Sequence, residues 1–424
     1  MACILLDRNR GVVQEGQQGL KAPRAGFTVK NKEGIRMNAR LLKGTIFLIL
    51  LSISFLTVSC GGGGSSDSPS PAPPVPPAPS FTLSDLSGTW HALGASVAGT
   101  NDGVITGTIN LNSAGTITGG LYSDTSAPGV PSVTGSSLSL DSTGVLGGRI
   151  NVAATSPLQI DLLSTAPAGK MNASKSFCTF VSSTNTGQSD LIVLMKSGAN
   201  YAQADLSGTW YSFGLSSGVG LERTSQGTMI IDAAGTVTGG TFNYSSAPVL
   251  GTINSGALTL ISSGGVTGSI GVDTVIGGVT IGGIMDSSKS MGALFLNYNS
   301  PVEYAFMTII KAGGIFSLSD LQGTWYIYFV SSGGSPEGIV YGTLQVDAAG
   351  QVKGGTYQPG SVPFSSGALS INTDGLLSGS ITAGATTITI TAPGGKMNSS
   401  KNTISFVGLS DTGIRYLLIG HKGS

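Results

Sequence analysis

Side chains capable of acid–base, nucleophilic or metal-binding chemistry are scarce in this sequence. The 424 residues include two histidines, His91 and His421, and three cysteines. A Ser-His-Asp or Cys-His nucleophile requires a histidine beside the nucleophile and a third group that orients it. No such set can be assembled here, and the count also argues against a zinc site of the usual Cys/His kind. We therefore expect no metal, no cofactor and no histidine-based catalysis.

Carboxylates are the remaining candidates for catalysis. Three aspartates recur in one context, each followed by Leu, one variable residue and Gly-Thr-Trp: Asp85, Asp205 and Asp320. An acid in that place typically caps a turn or the start of a short helix. We therefore predict a structural role for these aspartates, and a carboxylate-based hydrolase is the least favoured function.

One cysteine has a sequence context with chemical meaning. Cys60 follows an apolar run at 45–58, which is preceded by Arg40 and Lys43. The run is shorter than the roughly 20 residues of a spanning helix and fits the apolar segment of a signal peptide. The pattern resembles a bacterial lipoprotein signal peptide, which implies that Cys60 is diacylated and becomes the mature N-terminus. A signal anchor with an incidental cysteine is the alternative.

The segments around Cys60 divide the N-terminal part of the chain. Residues 1–36 have mixed charges and no long apolar run, whereas Met37 stands shortly before the basic residues. We predict that translation starts at Met37, that 1–36 is a mis-annotated extension and that 37–59 is the signal peptide; an ordinary extension starting at Met1 is the alternative. Residues 60–80 comprise the lipidated cysteine and a linker rich in Gly, Ser and Pro, which we expect to be disordered. The residue after the acylated cysteine is Gly61 rather than Asp, which resembles the lipoproteins that are sorted to the outer membrane. The folded part would then face either the periplasm or the cell surface.

The part of the chain after the signal is poor in charge. Charged residues make up 10% of the sequence, and many of the basic ones precede Cys60. Because no basic patch remains, nucleic acid is not an expected partner. Cys178 is the one cysteine beyond Cys60, so acylation of Cys60 would leave no internal disulfide. We interpret Cys178 as a small buried residue of a strand.

After the linker the sequence repeats three times. Each of the three tryptophans of the chain follows Gly-Thr: Trp90, Trp210 and Trp325. Each copy closes on a lysine that follows an apolar run: Lys196, Lys311 and Lys422. These landmarks place the repeats at 81–198, 199–313 and 314–424.

The third repeat indicates which fold one copy adopts. Short runs of alternating or β-branched residues, separated by turn residues, predict eight strands: 324–330, 339–346, 351–357, 368–372, 376–382, 386–391, 403–408 and 415–420. We predict an all-β chain of three tandem antiparallel modules of about 110 residues, each an eight-stranded up-and-down barrel, because closure removes exposed sheet edges. A β-sandwich with the tryptophan as its core anchor is the alternative.

The Gly-Thr-Trp of each first strand is similar to the Gly-x-Trp that opens lipocalin- and avidin-like (calycin) barrels. This resemblance implies that the tryptophan plugs one end of the barrel and that a basic residue of the last strand stacks across it. Lys196, Lys311 and Lys422 stand where that residue would come from, and an ammonium over an indole contributes about 0.5–1 kcal/mol. The whole pattern also resembles uncharacterised, Gly-rich repeat lipoproteins of environmental Gram-negative bacteria.

These features favour a non-catalytic binding or surface-display lipoprotein. Three similar modules on a tether suit avidity, and the expected partners are an apolar small molecule, a glycan or an envelope protein, besides the membrane through the lipid on Cys60. A purely structural envelope protein is the alternative. The residues of the barrel interior distinguish these two functions. Small inward residues would leave a cavity for a ligand, whereas large ones would fill the barrel.

Overall fold

A computed structural model describes most of the repeat region. The described residues are 80–97, 103–125, 129–153, 158–162, 167–198, 200–218, 223–245, 250–273, 278–299, 302–332, 338–358 and 360–423. The predicted signal peptide, Cys60 and most of the linker lie outside them. None of the helices in these ranges has the length and hydropathy needed to span a membrane.

The first repeat contains ten strand segments that form one sheet. They are β1 (Gly88–Val97), β2 (Gly103–Leu111), β3 (Ile117–Asp124), β4 (Ser132–Val133), β5 (Leu138–Leu140), β6 (Leu146–Ala153), β7 (Leu158–Leu162), β8 (Gly169–Met171), β9 (Phe177–Thr184) and β10 (Ser189–Lys196). The ladder runs from β1 through β2, β3, β4, β6, β7 and β9 to β10, which pairs with β1 again. Short segments β5 and β8 pair with β6 and β9 beside this closed path.

The second repeat forms a closed barrel of eight strands in sequential order. They are β11 (Gly208–Gly218), β12 (Arg223–Ile231), β13 (Val237–Tyr244), β14 (Gly251–Leu260), β15 (Gly265–Val272), β16 (Val279–Met285), β17 (Met291–Asn299) and β18 (Val302–Lys311). Strand β18 returns to β11, where Lys311 lies opposite Trp210.

The third repeat closes in the same way. Its strands are β19 (Gly323–Ser332), β20 (Gly338–Val346), β21 (Val352–Gln358), β22 (Val362–Ile371), β23 (Leu376–Ala383), β24 (Thr386–Met397), β25 (Thr403–Ser410) and β26 (Arg415–Lys422). All eight predicted strands are present. Strand β22 begins earlier and β24 ends later than predicted, because both continue through bulges at Ser, Gly and Pro positions that resemble loops in the sequence.

The prediction of three antiparallel up-and-down barrels is therefore confirmed, and the β-sandwich alternative is wrong. In each repeat the last strand pairs with the first along most of its length. A sandwich would leave these two strands as separate edges, whereas closure satisfies their backbone hydrogen bonds.

The same tight turn joins the second and third strands of each barrel. Its first residue is Asn112, Asp232 or Asp347, and the side-chain oxygen accepts backbone hydrogen bonds from the second and fourth residues that follow. In the first barrel the turn closes on Gly115, whose φ of 74° favours glycine. These side chains stabilise turns, which agrees with the presence of Asn in the first repeat and Asp in the other two at this position.

Side chains fill the three barrel interiors. Each barrel has its own cluster of buried apolar residues, which includes its tryptophan and inward residues from its strands. Cys178 belongs to the cluster of the first barrel and is fully buried as a free thiol. These interiors resemble packed cores rather than ligand chambers.

The three barrels also pack against one another in a closed ring. The first strand of each barrel contacts the last two strands of another: β1 contacts β17 and β18, β11 contacts β25 and β26, and β19 contacts β9 and β10. The outward residues of these strands form a further apolar cluster, the central core, to which every barrel contributes. Representative members are Leu93, Val193, Phe213, Phe306, Tyr328 and Leu417.

Polar contacts between barrels repeat around this ring. The Lys170 ammonium of the first barrel lies 4.4 Å from the ring centroid of Tyr326 in the third. The Lys396 ammonium of the third barrel lies 5.6 Å from the ring centroid of Tyr211 in the second. Tyr211 and Tyr326 occupy the same repeat position, directly after the tryptophan. The same repeat surfaces therefore meet at two successive interfaces, which indicates head-to-tail packing with approximate threefold symmetry.

A buried histidine lies where the first and third barrels meet. His421 Nε2 is 2.8 Å from the Thr179 hydroxyl of the first barrel, and its ring centroid is 5.1 Å from that of Phe177. Burial, together with the charge of Lys170, lowers the pKa of His421 to about 3. The imidazole therefore stays neutral in the folded protein well below its usual pKa.

Because the central core joins the barrels, we expect the loss of one outward side chain to destabilise a neighbouring barrel as well as its own. Phe306→Ala should lower the free energy of unfolding by about 3–5 kcal/mol, because the fully buried ring leaves a cavity. Hydrogen exchange monitored by mass spectrometry should show faster exchange in β1 of the first barrel as well as in β18. Ile230→Ala, at an exposed position of the same barrel, is the control and should change little. Faster exchange confined to the second barrel would contradict a shared core.

His421 predicts a specific pH dependence of stability. Since its pKa is about 3 when folded and about 6.5 when unfolded, the unfolded chain binds more protons between these values, and stability falls as pH decreases below 6.5. The contribution approaches about 1.4 kcal/mol per pH unit. His421→Met, which introduces the residue found at the same position of the first repeat, should reduce the slope of unfolding free energy against pH by this amount between pH 4 and 6. Identical slopes for the two proteins in urea titrations would show that His421 is not buried in its neutral form.

Candidate functional site

One end of every barrel carries the same set of side chains. We call it the closed end: it consists of the tryptophan of the first strand, the lysine that ends the last strand, and a 3₁₀ turn just before the first strand. The turns are Leu83–Leu86, Gln203–Leu206 and Leu318–Leu321. In each, the last leucine is completely buried and its carbonyl accepts a hydrogen bond from the tryptophan indole N–H, at 2.6, 2.7 and 2.8 Å in chain order.

The lysine that ends each last strand stacks over the tryptophan. Lys196 and Lys311 have their ammonium nitrogens 5.4 Å from the indole centroids, and Lys422 has its nitrogen at 5.7 Å. Each ammonium also donates a hydrogen bond to the carbonyl of the aspartate in the 3₁₀ turn, at 2.8, 2.9 and 2.8 Å. Burial lowers the pKa of all three lysines, while the neighbouring aspartates favour their charged form.

The recurring aspartates are held in ion pairs. Their carboxylates accept a backbone N–H from the residue before the turn, at 2.8 Å in all three copies. They also pair with a second lysine: Lys175 with Asp85 at 2.8 Å, Lys289 with Asp205 at 2.7 Å, and Lys401 with Asp320 at 2.9 Å. The hydrogen bond from Ala202 and the Lys289 ammonium hold the pKa of Asp205 below its usual range.

The second lysine of the first barrel lies in a tight turn. Lys175 has a φ of 58°, and its backbone N–H donates a hydrogen bond to the Asn172 carbonyl at 2.9 Å. The Asn172 side-chain oxygen accepts the backbone N–H groups of Ser176 and Phe177, at 3.1 Å each. The lysine is therefore free to reach Asp85, and the closed end is an assembly of packed and paired groups with a structural role.

The opposite ends of the barrels, the open ends, differ from one another. Six residues before the final lysine, the inward position is Asp190 in the first barrel, Ala305 in the second and Tyr416 in the third. Asp190 is completely buried, and burial raises its pKa to about 7. Ser182 donates a hydrogen bond to it at 3.2 Å.

The open end of the second barrel contains an ion pair. Arg223 Nη2 lies 3.1 Å from Glu303 Oε2, and the guanidinium stacks 4.7 Å from the ring centroid of Tyr244. Burial raises the pKa of Glu303, although Arg223 opposes the shift. A second oxygen of the same carboxylate, Oε1, has no hydrogen-bond partner among the described residues.

The open end of the third barrel is apolar. Aromatic and aliphatic side chains, among them Phe329, Tyr357, Phe364 and Tyr416, surround a hollow of about 60 Å³. Such a volume is far below the roughly 300–1,000 Å³ of typical small-molecule sites.

A larger concavity lies between the second and third barrels. This inter-barrel cleft has a volume of about 230 Å³. It is bordered by outward residues of β12 and β13 on one side and by β24 and β25 on the other. Arg415 of the third barrel donates a hydrogen bond to Ser245 at the edge of the cleft, at 2.8 Å. We regard the cleft as the candidate binding site.

The free cysteine and the two histidines do not form a reactive site. Burial raises the pKa of the Cys178 thiol far above its usual value, so it is not a nucleophile. Burial lowers the pKa of His91, which lies in the first barrel, whereas His421 lies at an interface. No group of three metal-ligating side chains occurs within the described ranges.

Three residues at the interfaces of the ring were not recognised from the sequence: Lys170, Lys396 and His421. Lys170 and Lys396 are buried, and burial lowers the pKa of each to about 8. A signal for the two lysines exists, because each stands between glycine and methionine, and both neighbours are buried.

Comparison with known proteins does not assign a family. No protein-family profile matches the sequence, and no curated protein is significantly similar to it. A protein of unknown function of the DUF3598 family from Nostoc punctiforme is 12% identical, over 55% of this chain and 99% of that one, with a TM-score of 0.22. Transferrin binding protein B of Neisseria meningitidis is 10% identical, over 79% of this chain and 76% of that one, with a TM-score of 0.26. Kievitone hydratase of Nectria haematococca is 10% identical, over 55% of this chain and 94% of that one, with a TM-score of 0.22. At such TM-scores these similarities assign no function.

The closed end predicts a local loss of stability when its cation is removed. Lys311→Met deletes the stacking on Trp210 and the hydrogen bond to the Asp205 carbonyl, and should cost about 2 kcal/mol of unfolding free energy. The matched control is Lys353→Met, since Lys353 is an exposed lysine whose ion pair with Asp347 lies at the surface. Urea denaturation followed by tryptophan fluorescence measures both. Equal losses in the two variants would mean that the stacked lysine contributes no more than a surface pair.

Proposed function

We propose that this chain is an outer-membrane lipoprotein, anchored through a lipid on Cys60, whose three-barrel ring is a non-catalytic binding protein. In this proposal the partner is recognised on the outer surface of the ring and in the clefts between barrels. The observation that carries it is the combination of filled barrel interiors with a cleft of about 230 Å³ between the second and third barrels.

The anchoring part of the proposal rests on the sequence. Residues 45–58 and Cys60 match the order of an apolar segment followed by an acylated cysteine, and a linker rich in Gly, Ser and Pro separates them from the first barrel. A linker of this composition allows a folded body to stand away from a membrane.

The binding part rests on the shape of the ring. Lipocalin-type capture of an apolar molecule inside a barrel requires an interior cavity, whereas the inward residues here are mostly large and tightly packed. An apolar small molecule is therefore the least favoured of the three expected partners. A glycan or an envelope protein would meet the ring from outside.

The three barrels are not suited to bind a partner as independent modules that gain affinity through avidity. Independent modules on flexible connections gain avidity by engaging separate copies of a partner. Here the central core joins the barrels, and their open ends carry different residues. We therefore propose a single composite surface rather than three equivalent sites.

A purely structural envelope protein is the second candidate, and the filled barrels favour it. A catalytic role has less support. The recurring aspartates that could have served a hydrolase are engaged in ion pairs with Lys175, Lys289 and Lys401 at the closed ends.

The proposal predicts the fate of a Cys60→Ala variant. The parent chain should fractionate with the outer membrane, and its mass should correspond to a mature N-terminus at Cys60 carrying lipid. The variant should leave the outer-membrane fraction, because the lipid on Cys60 supplies the affinity for that membrane. Cys178→Ala is the control, since this buried cysteine should not affect fractionation.

Native mass spectrometry of the same preparations addresses binding. A defined additional mass on the parent chain purified from its natural envelope would support a binding protein. A Cys60→Ala protein that remained in the outer membrane would refute the anchor, and a parent chain free of any bound mass would favour the structural candidate.

A further inference from the structure

We propose that the inter-barrel cleft between the second and third barrels binds a neutral, hydroxyl-rich ligand, such as the terminal sugar of a glycan. This inference deepens the proposed function and rests on it. It is carried by the unpartnered amide and hydroxyl groups of the cleft, by the absence of ionised side chains from its lining, and by the interruption of the strand ladder at its floor.

The polar side chains of the cleft are available for a ligand. Gln226 and Asn243 extend from neighbouring strands of the second barrel, and Thr389 and Thr391 face them from the third. None of these four side chains has a hydrogen-bond partner among the described residues. An amide offers both donors and acceptors, and a hydroxyl does the same. Groups of this kind match sugar hydroxyls, each of which also donates and accepts.

The charge of the cleft argues against an ionic ligand. The residues that line it within the described ranges are Thr, Ser, Gln, Asn, Val, Gly and Leu, none of which ionises. The guanidinium of Arg415 stands at the edge of the cleft, outside its lining, where Nε donates a hydrogen bond to the Ser245 hydroxyl. Because none of the side chains that line the cleft carries a charge, a charged ligand inside it would find no partner in the lining, and the cleft favours a neutral one.

The floor of the cleft is formed where two strands separate. Strand β24 pairs with β25 at Thr389 and Leu409, and pairing resumes at Gly395 and Phe406. Between these points the backbone of Val407 has no ladder partner on β24. The interruption therefore lies among the residues that line the cleft, where the two strands bend apart. A sugar ring would place its apolar C–H surface on Leu409, which is 48% exposed, while its hydroxyls meet the surrounding polar groups.

The size of the cleft limits the ligand. A volume of about 230 Å³ lies just below the roughly 300–1,000 Å³ of common small-molecule sites. The cleft therefore suits one sugar residue at the end of a chain better than a buried oligosaccharide. The rest of a glycan would extend into solvent.

The test is direct binding of neutral saccharides to the full-length chain. The chain is purified in a detergent without a sugar headgroup, and saturation-transfer NMR is recorded with glucose, galactose, mannose and N-acetylglucosamine. At least one should show saturable binding. The double variant Gln226→Ala/Asn243→Ala should weaken it about tenfold, because two hydrogen bonds to the ligand are lost.

A matched control comes from the first barrel. Thr106 and Ser123 occupy the same repeat positions as Gln226 and Asn243, so Thr106→Ala/Ser123→Ala should bind like the parent. Both double variants should keep the parent's thermal midpoint, since neither cleft side chain bonds within the described protein.

Three results would overturn the cleft assignment: no saturable binding of any saccharide, equal affinity in the two double variants, or binding of a peptide at the cleft in place of sugars. If native mass spectrometry of the same chain still showed a bound partner of other chemistry, the proposed binding function would stand and the sugar cleft alone would fail.

Discussion

The first and last strands of each barrel must bury both of their faces, and the arrangement of the whole repeat region depends on this. Their inward residues pack in the barrel, and their outward residues, such as Leu93, Val193 and Phe306, would expose a broad apolar surface if each barrel stood alone. Packing the first strand of one barrel on the last strands of another removes that surface from water. Because the contact is head-to-tail, a third barrel is needed to close the cycle, and three repeats leave no such face uncovered.

This constraint explains which parts of the fold the sequence could predict. Within one repeat, turn residues and alternating patterns mark the strands, and closure into a barrel follows from the need to avoid free edges. Closure makes neighbours of the strands that carry the recurring tryptophan and lysine, and Trp90 and Lys196 are register partners. That a lysine lies across the tryptophan at one barrel end is implied by the resemblance of Gly-Thr-Trp to calycin barrels, and no spacing rule predicts it. Local and short-range rules are enough for the strands and their closure.

The ring and the cleft could not be predicted in the same way. A continuous apolar run such as that of β26 indicates a strand buried on both faces, but it does not say which barrel covers the outer one. Lys170 and His421 look unremarkable until Tyr326 and Thr179 of other elements are placed beside them. The cleft likewise combines Asn243 with residues that lie in a different repeat. Contacts of this kind depend on the relative positions of barrels, and no spacing within one repeat encodes them.

The contrast between the two barrel ends bears on function. The closed ends use the same ion pairs and indole contacts three times, as expected of groups that stabilise a shared fold. At the open ends one inward position is an acid, a small residue or an aromatic ring, namely Asp190, Ala305 and Tyr416. If the repeats served one ligand three times, their open ends would share their chemistry. Their difference, within a ring joined by a common core, argues instead that each barrel contributes a distinct part to one surface, and that the cleft between two of them is where such a surface can become selective.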